Sequence, residues 1–203
     1  RRDWTHPRRR PIIIAMASYP KSGGPIRRTI PEGDHLERLV CDACGFIHYD
    51  NPKIVVGAVA AWRERILLCR RAIQPRQGYW TIPAGYLELN ESSEEGALRE
   101  AREEANAELR LTGLLAVYNI PRISQVQLIY RAELMREEVS AGVESEEVGL
   151  FAAEDIPWQD LAFPSVRWAL NQFTEVKDME SFAPFTNPDG ETGNFDPKST
   201  TRV

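Results

Sequence analysis

The stretch Gly85-Tyr86-Leu87-Glu88-Leu89-Asn90-Glu91-Ser92-Ser93-Glu94-Glu95-Gly96-Ala97-Leu98-Arg99-Glu100-Ala101-Arg102-Glu103-Glu104-Ala105-Asn106-Ala107 decides how the rest of the chain is read. Its second half predicts a helix from Ser93 to Ala105. Ser92 or Ser93 caps it, and Glu94 and Glu95 lie in the first turn, where the helix dipole favours carboxylates. At about 100° per residue, Ala97, Leu98, Ala101 and Ala105 share a face small enough to pack closely on a sheet. Glu100, Glu103 and Glu104 share the adjacent face, where like charges one turn apart repel. Two readings follow. The plain one is a solvated charged face with Arg99 paired to Glu103. The other is a set of hard oxygen donors for a divalent cation, which could in turn neutralise a diphosphate.

The flanking sequence supplies a sheet for that helix. Ile54 to Trp62 and Arg65 to Arg70 are rich in Val, Ile, Leu and Ala around a polar turn, and read as a hairpin. Trp80 to Pro83 is a short extended piece. Leu109 to Ile120 and Gln125 to Leu134 read as long strands, and Val148 to Ala152 as another. Phe163, Val166, Leu170, Phe173 and Val176 recur at helical spacing and form one apolar stripe. Strands interleaved with two helices predict an α/β fold with a mixed sheet between helices.

Composition bounds the classes of function. A chain of 203 residues fits one ordinary domain with appendages. The net charge of -5 argues against a nucleic-acid coat or an anionic membrane surface. No apolar run approaches the roughly 20 residues that cross a bilayer. Three cysteines, two of them in Cys41-x-x-Cys44, point to a reducing compartment rather than a disulfide framework. The expected divisions are an Arg-rich extension at 1–29, with Met16 a candidate start, a ribbon-like segment at 30–52, a catalytic domain at 53–177 and a flexible tail at 178–203.

The opening stretch resembles the signature of the Nudix hydrolases: Gly, five residues, Glu, seven residues, Arg-Glu, an aliphatic, any residue, Glu-Glu, any residue, Gly, an aliphatic. Gly85, Glu91, Arg99, Glu100, Glu103 and Glu104 stand at the required places, with Ala101 and Ala107 at the aliphatic ones. Asn106 stands where the family has Gly. A left-handed residue is wanted just after the helix, and Asn is the next most tolerant there. The resemblance implies a Nudix-type α/β/α sandwich in which Glu100, Glu103 and Glu104, with the carbonyl of Ala84, hold Mg²⁺ or Mn²⁺. It implies that Arg99 orients a carboxylate and that Glu91 supports the loop. It places a general base on a later loop, where Glu144 and Glu147 are the candidates.

Cys41-Asp42-Ala43-Cys44-Gly45 looks like one knuckle of a zinc ribbon. At the position of the second knuckle stand Pro20-Lys21-Ser22-Gly23-Gly24, which cannot bind zinc. Two thiols fall short of the four ligands of a structural site, so the ribbon reads as degenerate. The ribbon together with Tyr79 to Tyr86 resembles a branch of bacterial and plastid ADP-ribose/FAD pyrophosphatases. That branch implies hydrolysis of FAD to FMN and AMP, or of ADP-ribose to AMP and ribose 5-phosphate. An NADH or NAD-cap pyrophosphatase is the nearest alternative, and a non-catalytic nucleotide-binding module is the alternative of another class. Trp80, Tyr86 and Tyr118 are the candidates for stacking a base or flavin. The expected partner is a small nucleotide, with neither membrane nor nucleic acid, and the chain is expected to form a homodimer. The expected location is the cytoplasm, or a plastid if the source is a plant or alga.

Overall fold

A computed structural model describes residues 24–194, so the Arg-rich start and most of the second, cysteine-free knuckle lie outside the described residues. The chain divides into two compact units between Asp50 and Asn51.

In the first unit β1 (Arg27–Thr29), β2 (Arg38–Val40) and β3 (Ile47–His48) form a small antiparallel sheet. The Cys41 knuckle closes it: Gly45 N–H donates to the Cys41 carbonyl at 2.8 Å and Cys41 N–H to the Phe46 carbonyl at 2.9 Å. The backbone N–H groups of Cys44 and Ala43 lower the Cys41 thiol pKa. Polar contacts brace the rest. Arg27 pairs with Asp42. Asp34 accepts Arg38 Nε at 2.9 Å and the N–H groups of His35 and Leu36 at 2.7 and 3.1 Å. Those donors, Arg38 first, hold Asp34 down at about 2.

The second unit is built on a seven-stranded mixed sheet. β4 (Lys53–Trp62) and β5 (Arg65–Arg71) form the expected hairpin, but they pair only beside the turn, at Ala61–Ile66 and Trp62–Arg65. Farther on they diverge. β6 (Trp80–Thr81) pairs with β5 and β7 (Ala84–Tyr86) with β4, so residues 80–86 fill the wedge. That wedge delivers Gly85 to the middle of the sheet. α1 (Ser93–Ala105) follows, then β8 (Leu109–Ile120), β9 (Gln125–Leu134), β10 (Ser145–Phe151) and α2 (Pro164–Val176). The strand order is β10-β5-β4-β9-β8, with β4 and β9 the parallel pair.

Side-chain alternation along the central strands assigns a helix to each face. Val56, Ala58, Ala60, Leu67 and Cys69 meet Ala97, Ala101 and Ala105 of α1. Val59, Ile66 and Leu68 face the other way and meet Val166, Leu170, Phe173 and Val176 of α2. The alanines explain the close seat of α1: no larger side chain holds it off β4. The α/β/α sandwich expected from sequence is therefore observed. No helix among the described residues is long and apolar enough to cross a membrane.

One expectation fails over part of its length. Residues 178–203 read as a flexible tail because Pro, Gly, Asn and Asp dominate them. Instead Phe182 and Phe185 pack on the core beneath α2. Phe185 N–H donates to the Leu115 carbonyl at 2.8 Å, and Val117 N–H returns the bond to Phe185 at 2.9 Å, so the segment is pinned to edge strand β8. Two isolated aromatics supply apolar area that average composition conceals. Residues 195–203 lie outside the described residues.

Buried Arg131 joins this segment to α2. Its Nη1 donates to the carbonyls of Val176 and Met179, both at 2.7 Å, and its Nε to Thr112 Oγ1 at 2.8 Å. Its guanidinium lies 4.6 Å from the Phe182 ring centre. Arg131→Met takes the guanidinium from both carbonyls, leaving Val176 with the Met179 N–H alone at 3.0 Å, and is expected to cost about 1–3 kcal/mol of stability. Thermal unfolding should show the drop. An unchanged melting temperature would mean that the helix end finds other partners.

Candidate active site

Ser92 caps α1, accepting Glu95 N–H at 3.2 Å while Glu95 Oε2 accepts Ser92 N–H at 2.8 Å. This capping box fixes where the helix starts, and so the register of every carboxylate on it. Glu91 lies just before the cap. It accepts Glu88 N–H at 2.7 Å and takes both arms of Arg99, at 2.8 and 3.0 Å. Arg99, foremost, holds the Glu91 carboxyl down at about 2. The same guanidinium donates to the Tyr86 carbonyl at 3.0 Å, to Glu100 Oε1 at 2.7 Å and to Glu103 Oε2 at 2.9 Å. Arg99 thus ties strand, loop and helix together.

Gly85 makes room for Glu100. A Cβ added at Gly85 would stand 2.4–2.5 Å from the Glu100 carboxylate atoms, so any side chain there displaces that group. Glu100 and Glu104 are buried, 8% and 5% exposed, and neither is an ordinary surface acid. Burial raises the pKa of both, Glu104 to about 8. For Glu104 the nearby Glu100 and Glu144 charges add to the rise, while the Ala84 N–H, at 3.2 Å, and the Arg71 charge oppose it. Glu103 is more exposed and turns toward Arg99.

The three helix acids line one open cleft of about 1350 Å³, together with Ala84, Gly85, Tyr86 and Glu144. Among the described residues no three acidic, Cys or His groups already stand as ligands around one point, since Arg99 bonds both Glu100 and Glu103. The chemistry of the set nevertheless fits a hard cation. Two buried carboxylates have raised pKa values, a third carboxylate is largely exposed at the cleft, and all the donors are oxygens.

The later acids separate. Glu144 lines the cleft, and its charge is felt by both Glu100 and Glu104. Glu147 does not line it: β10 pairs Glu147 with Arg70, whose Nη1 lies 3.6 Å from the carboxylate. Of the two acids expected as the base, the structure brings only Glu144 to the helix acids.

Of the three aromatic candidates only Tyr86 lines the cleft; its hydroxyl accepts Gln125 Nε2 at 3.3 Å. Tyr118 is fully buried, donates its hydroxyl to Gln172 and packs edge-on against Trp168 at 5.3 Å. Trp80 packs edge-on against Phe151 at 4.9 Å and belongs to the core beneath α2. Both are strand aromatics pointing inward. Sequence reading missed Phe163 and Arg71. Phe163 read as the first residue of the apolar stripe, but it is the cap residue of α2 and lines the cleft, with the Arg71 guanidinium 5.3 Å from its ring centre. The Pro at 164 was the available signal, because Pro favours the first helical position and leaves its predecessor outside the helix.

A turn and helix of this build, on this sandwich, define a class. Residues 51–173 match the NUDIX domain and residues 20–50 match the Nudix N-terminal zinc-ribbon family. The chain belongs to the Nudix hydrolase family. It is similar to the crystal structure of a NUDIX hydrolase from Nitrosomonas europaea, at 43% identity and a TM-score of 0.76, over 82% of this chain and 96% of that one. It is also 27% identical over 113 residues to the ADP-ribose pyrophosphatase of Methanocaldococcus jannaschii, covering 54% of this chain and 67% of that protein. A MutT-like protein of Streptomyces ambofaciens is 36% identical over 79 residues, 39% of this chain and 49% of that protein.

The ribbon family's name implies zinc, and the residues here do not fit it. Cys41 and Cys44 are in no disulfide, His35 and His48 are exposed, and no group of three or more Cys, His or acidic ligands forms around them among the described residues.

Proposed function

We propose that this chain hydrolyses the diphosphate link between a nucleoside monophosphate and a second moiety, with ADP-ribose, giving AMP and ribose 5-phosphate, as the favoured substrate. The observation that carries the reading is the pair of buried carboxylates, Glu100 held by Arg99 beside Gly85 and Glu104 bonded to the Ala84 N–H, which line one open cleft together with Glu144. Glu100, Glu103 and Glu104, with the Ala84 backbone, would hold Mg²⁺ or Mn²⁺. When bound, such a cation neutralises diphosphate oxygens and makes water acidic enough to attack phosphorus. Glu144 accepts the proton of the attacking water. Arg99 fixes Glu100 and Glu103, and Glu91 fixes Arg99.

The apolar part of the cleft lining suits a ring. Tyr86, Ile73, Ile123 and Phe163 contribute to it, with Arg71 beside Phe163. A base stacked on Phe163 leaves its phosphates reaching toward the acids. Support for ADP-ribose over FAD or NADH comes from the Methanocaldococcus relative. Phe163→Ala is expected to raise KM about tenfold, from the loss of one stacking contact, and to change kcat much less. An unchanged KM would move the ring elsewhere.

Comparing kcat/KM for ADP-ribose, FAD and NADH under Mg²⁺ and Mn²⁺ tests the substrate. ADP-ribose should be the best of the three. A clear preference for FAD or NADH would overturn that choice while leaving the diphosphate chemistry in place.

A further inference from the structure

Asn106 is the one departure from the Nudix pattern in the stretch that defines it, and its backbone does not explain why it is asparagine. It ends α1 in the left-handed region at φ 48° and ψ 32°, with its N–H bonded back to the Arg102 carbonyl at 2.9 Å. Glycine adopts that conformation at less cost. The side chain does what glycine cannot. Asn106 Nδ2 donates to Ser140 Oγ at 3.0 Å and to the Ser140 carbonyl at 3.1 Å, and it lies 3.5 Å from the Ala141 carbonyl.

These contacts belong to a longer seam. Ser140 N–H donates to the Ala105 carbonyl and Gly142 N–H to the Glu104 carbonyl, each at 3.0 Å. Carbonyls that the end of α1 leaves unpaired are thereby satisfied by the loop. The approach is so close that a Cβ on Gly142 would come within 1.7 Å of the Glu103 carbonyl oxygen. Two residues beyond Gly142 is Glu144, which enters the cleft beside the helix acids. Its carbonyl is held from the far side by Ala72 N–H at 2.8 Å.

We infer that Asn106 is a positioning residue: its amide fixes the 140–142 loop on the end of α1 and so sets where the Glu144 carboxylate stands relative to Glu103 and Glu104. The inference rests on the reading of Glu144 as proton acceptor. It gives the departure from the family pattern a task in this chain. The helix that carries the metal-binding acids and the loop that carries the base become one unit, linked by a side chain that the usual glycine lacks.

The test is a double-mutant cycle on AMP release from ADP-ribose with Mg²⁺. Asn106→Gly keeps the left-handed cap and removes only the amide. It should lower kcat about tenfold and leave KM within about twofold, as expected when a reacting group is held less well. Glu144→Gln should lower kcat about 10²-fold. In the Glu144→Gln background, Asn106→Gly should cost nothing further, because the group it positions is already gone. Wild-type kcat in Asn106→Gly, or the same tenfold loss with and without Glu144, would overturn the inference and leave the role of Glu144 standing. Wild-type kcat in Glu144→Gln would instead overturn the reading of Glu144, and the inference with it. Ser140→Ala, which removes one acceptor of the amide, should fall between wild type and Asn106→Gly.

Discussion

Glu103→Gln is expected to lower kcat by about 10²–10³-fold while leaving the fold intact. Glu103 is the most exposed of the three helix acids, its side chain 58% exposed, and it pairs with Arg99 at 2.9 Å. An exposed pair of that kind is worth less than about 1 kcal/mol, so loss of the charge should scarcely alter thermal stability. Arg99 also bonds Glu91, Glu100 and the Tyr86 carbonyl, so it keeps its place when Glu103 becomes neutral. The comparison is kcat against melting temperature for wild type and variant. A loss of activity matched by an equal loss of folded protein would make Glu103 a structural residue, and near-wild-type kcat would remove it from the chemistry.

Glu104→Gln is expected to stabilise the metal-free protein at neutral pH and above while abolishing stabilisation by divalent cations. The sign follows from burial, which raises the Glu104 pKa from 4.5 to about 8. Below pH 4.5 the carboxyl is protonated in the folded and unfolded chains alike, and it contributes no penalty. Between 4.5 and 8 the unfolded chain has released the proton that the folded chain retains, so stability falls as pH rises. Above 8 the penalty levels off at a few kcal/mol, the scale of a poorly compensated buried ion. Glutamine has no such slope and still accepts the Ala84 N–H. Adding Mg²⁺ should reverse the order, since a ligand that binds only the folded protein stabilises it by mass action. Unfolding curves from pH 4 to 9, with chelator and with Mg²⁺, show both effects. Parallel pH curves for the two proteins would mean that Glu104 is not buried as an unneutralised acid.

The sandwich was legible because its elements carry strong local signals. Ser93–Ala105, Leu109–Ile120 and Gln125–Leu134 begin and end where a serine cap, a left-handed asparagine and apolar runs said they should. Glu91, Arg99, Glu100, Glu103 and Glu104 were legible for a different reason. They sit on one turn and one helix, where spacing in sequence fixes spacing in space. The apolar lining of the cleft has no such rule. Tyr118 and Trp80 are aromatic residues on strands, and strand sequence alone does not say which face meets the core. Phe163 and Arg71 lie 92 residues apart in sequence and meet only because residues 80–86 wedge the hairpin open beside the start of α2. Glu147 and Glu144 differ by three residues, and a bulge within the pairing with β5, between Ser145 opposite Arg71 and Glu147 opposite Arg70, separates them. Asn106 looked like the least costly place for a departure from the pattern, and the backbone agrees. The amide bonds to Ser140 become visible only when a loop 34 residues away folds back onto the helix end.

The phosphorus resonances of ADP-ribose, followed in the presence of the purified chain, test the central claim most directly. With Mg²⁺ or Mn²⁺ the coupled diphosphate signals should give way to two monophosphate signals in equal amount, those of AMP and ribose 5-phosphate. Excess chelator should stop the conversion, and restored cation should restart it. Diphosphate signals that persist with either cation, for ADP-ribose, FAD and NADH alike, would contradict the account and leave the acid cluster a binding site without hydrolysis.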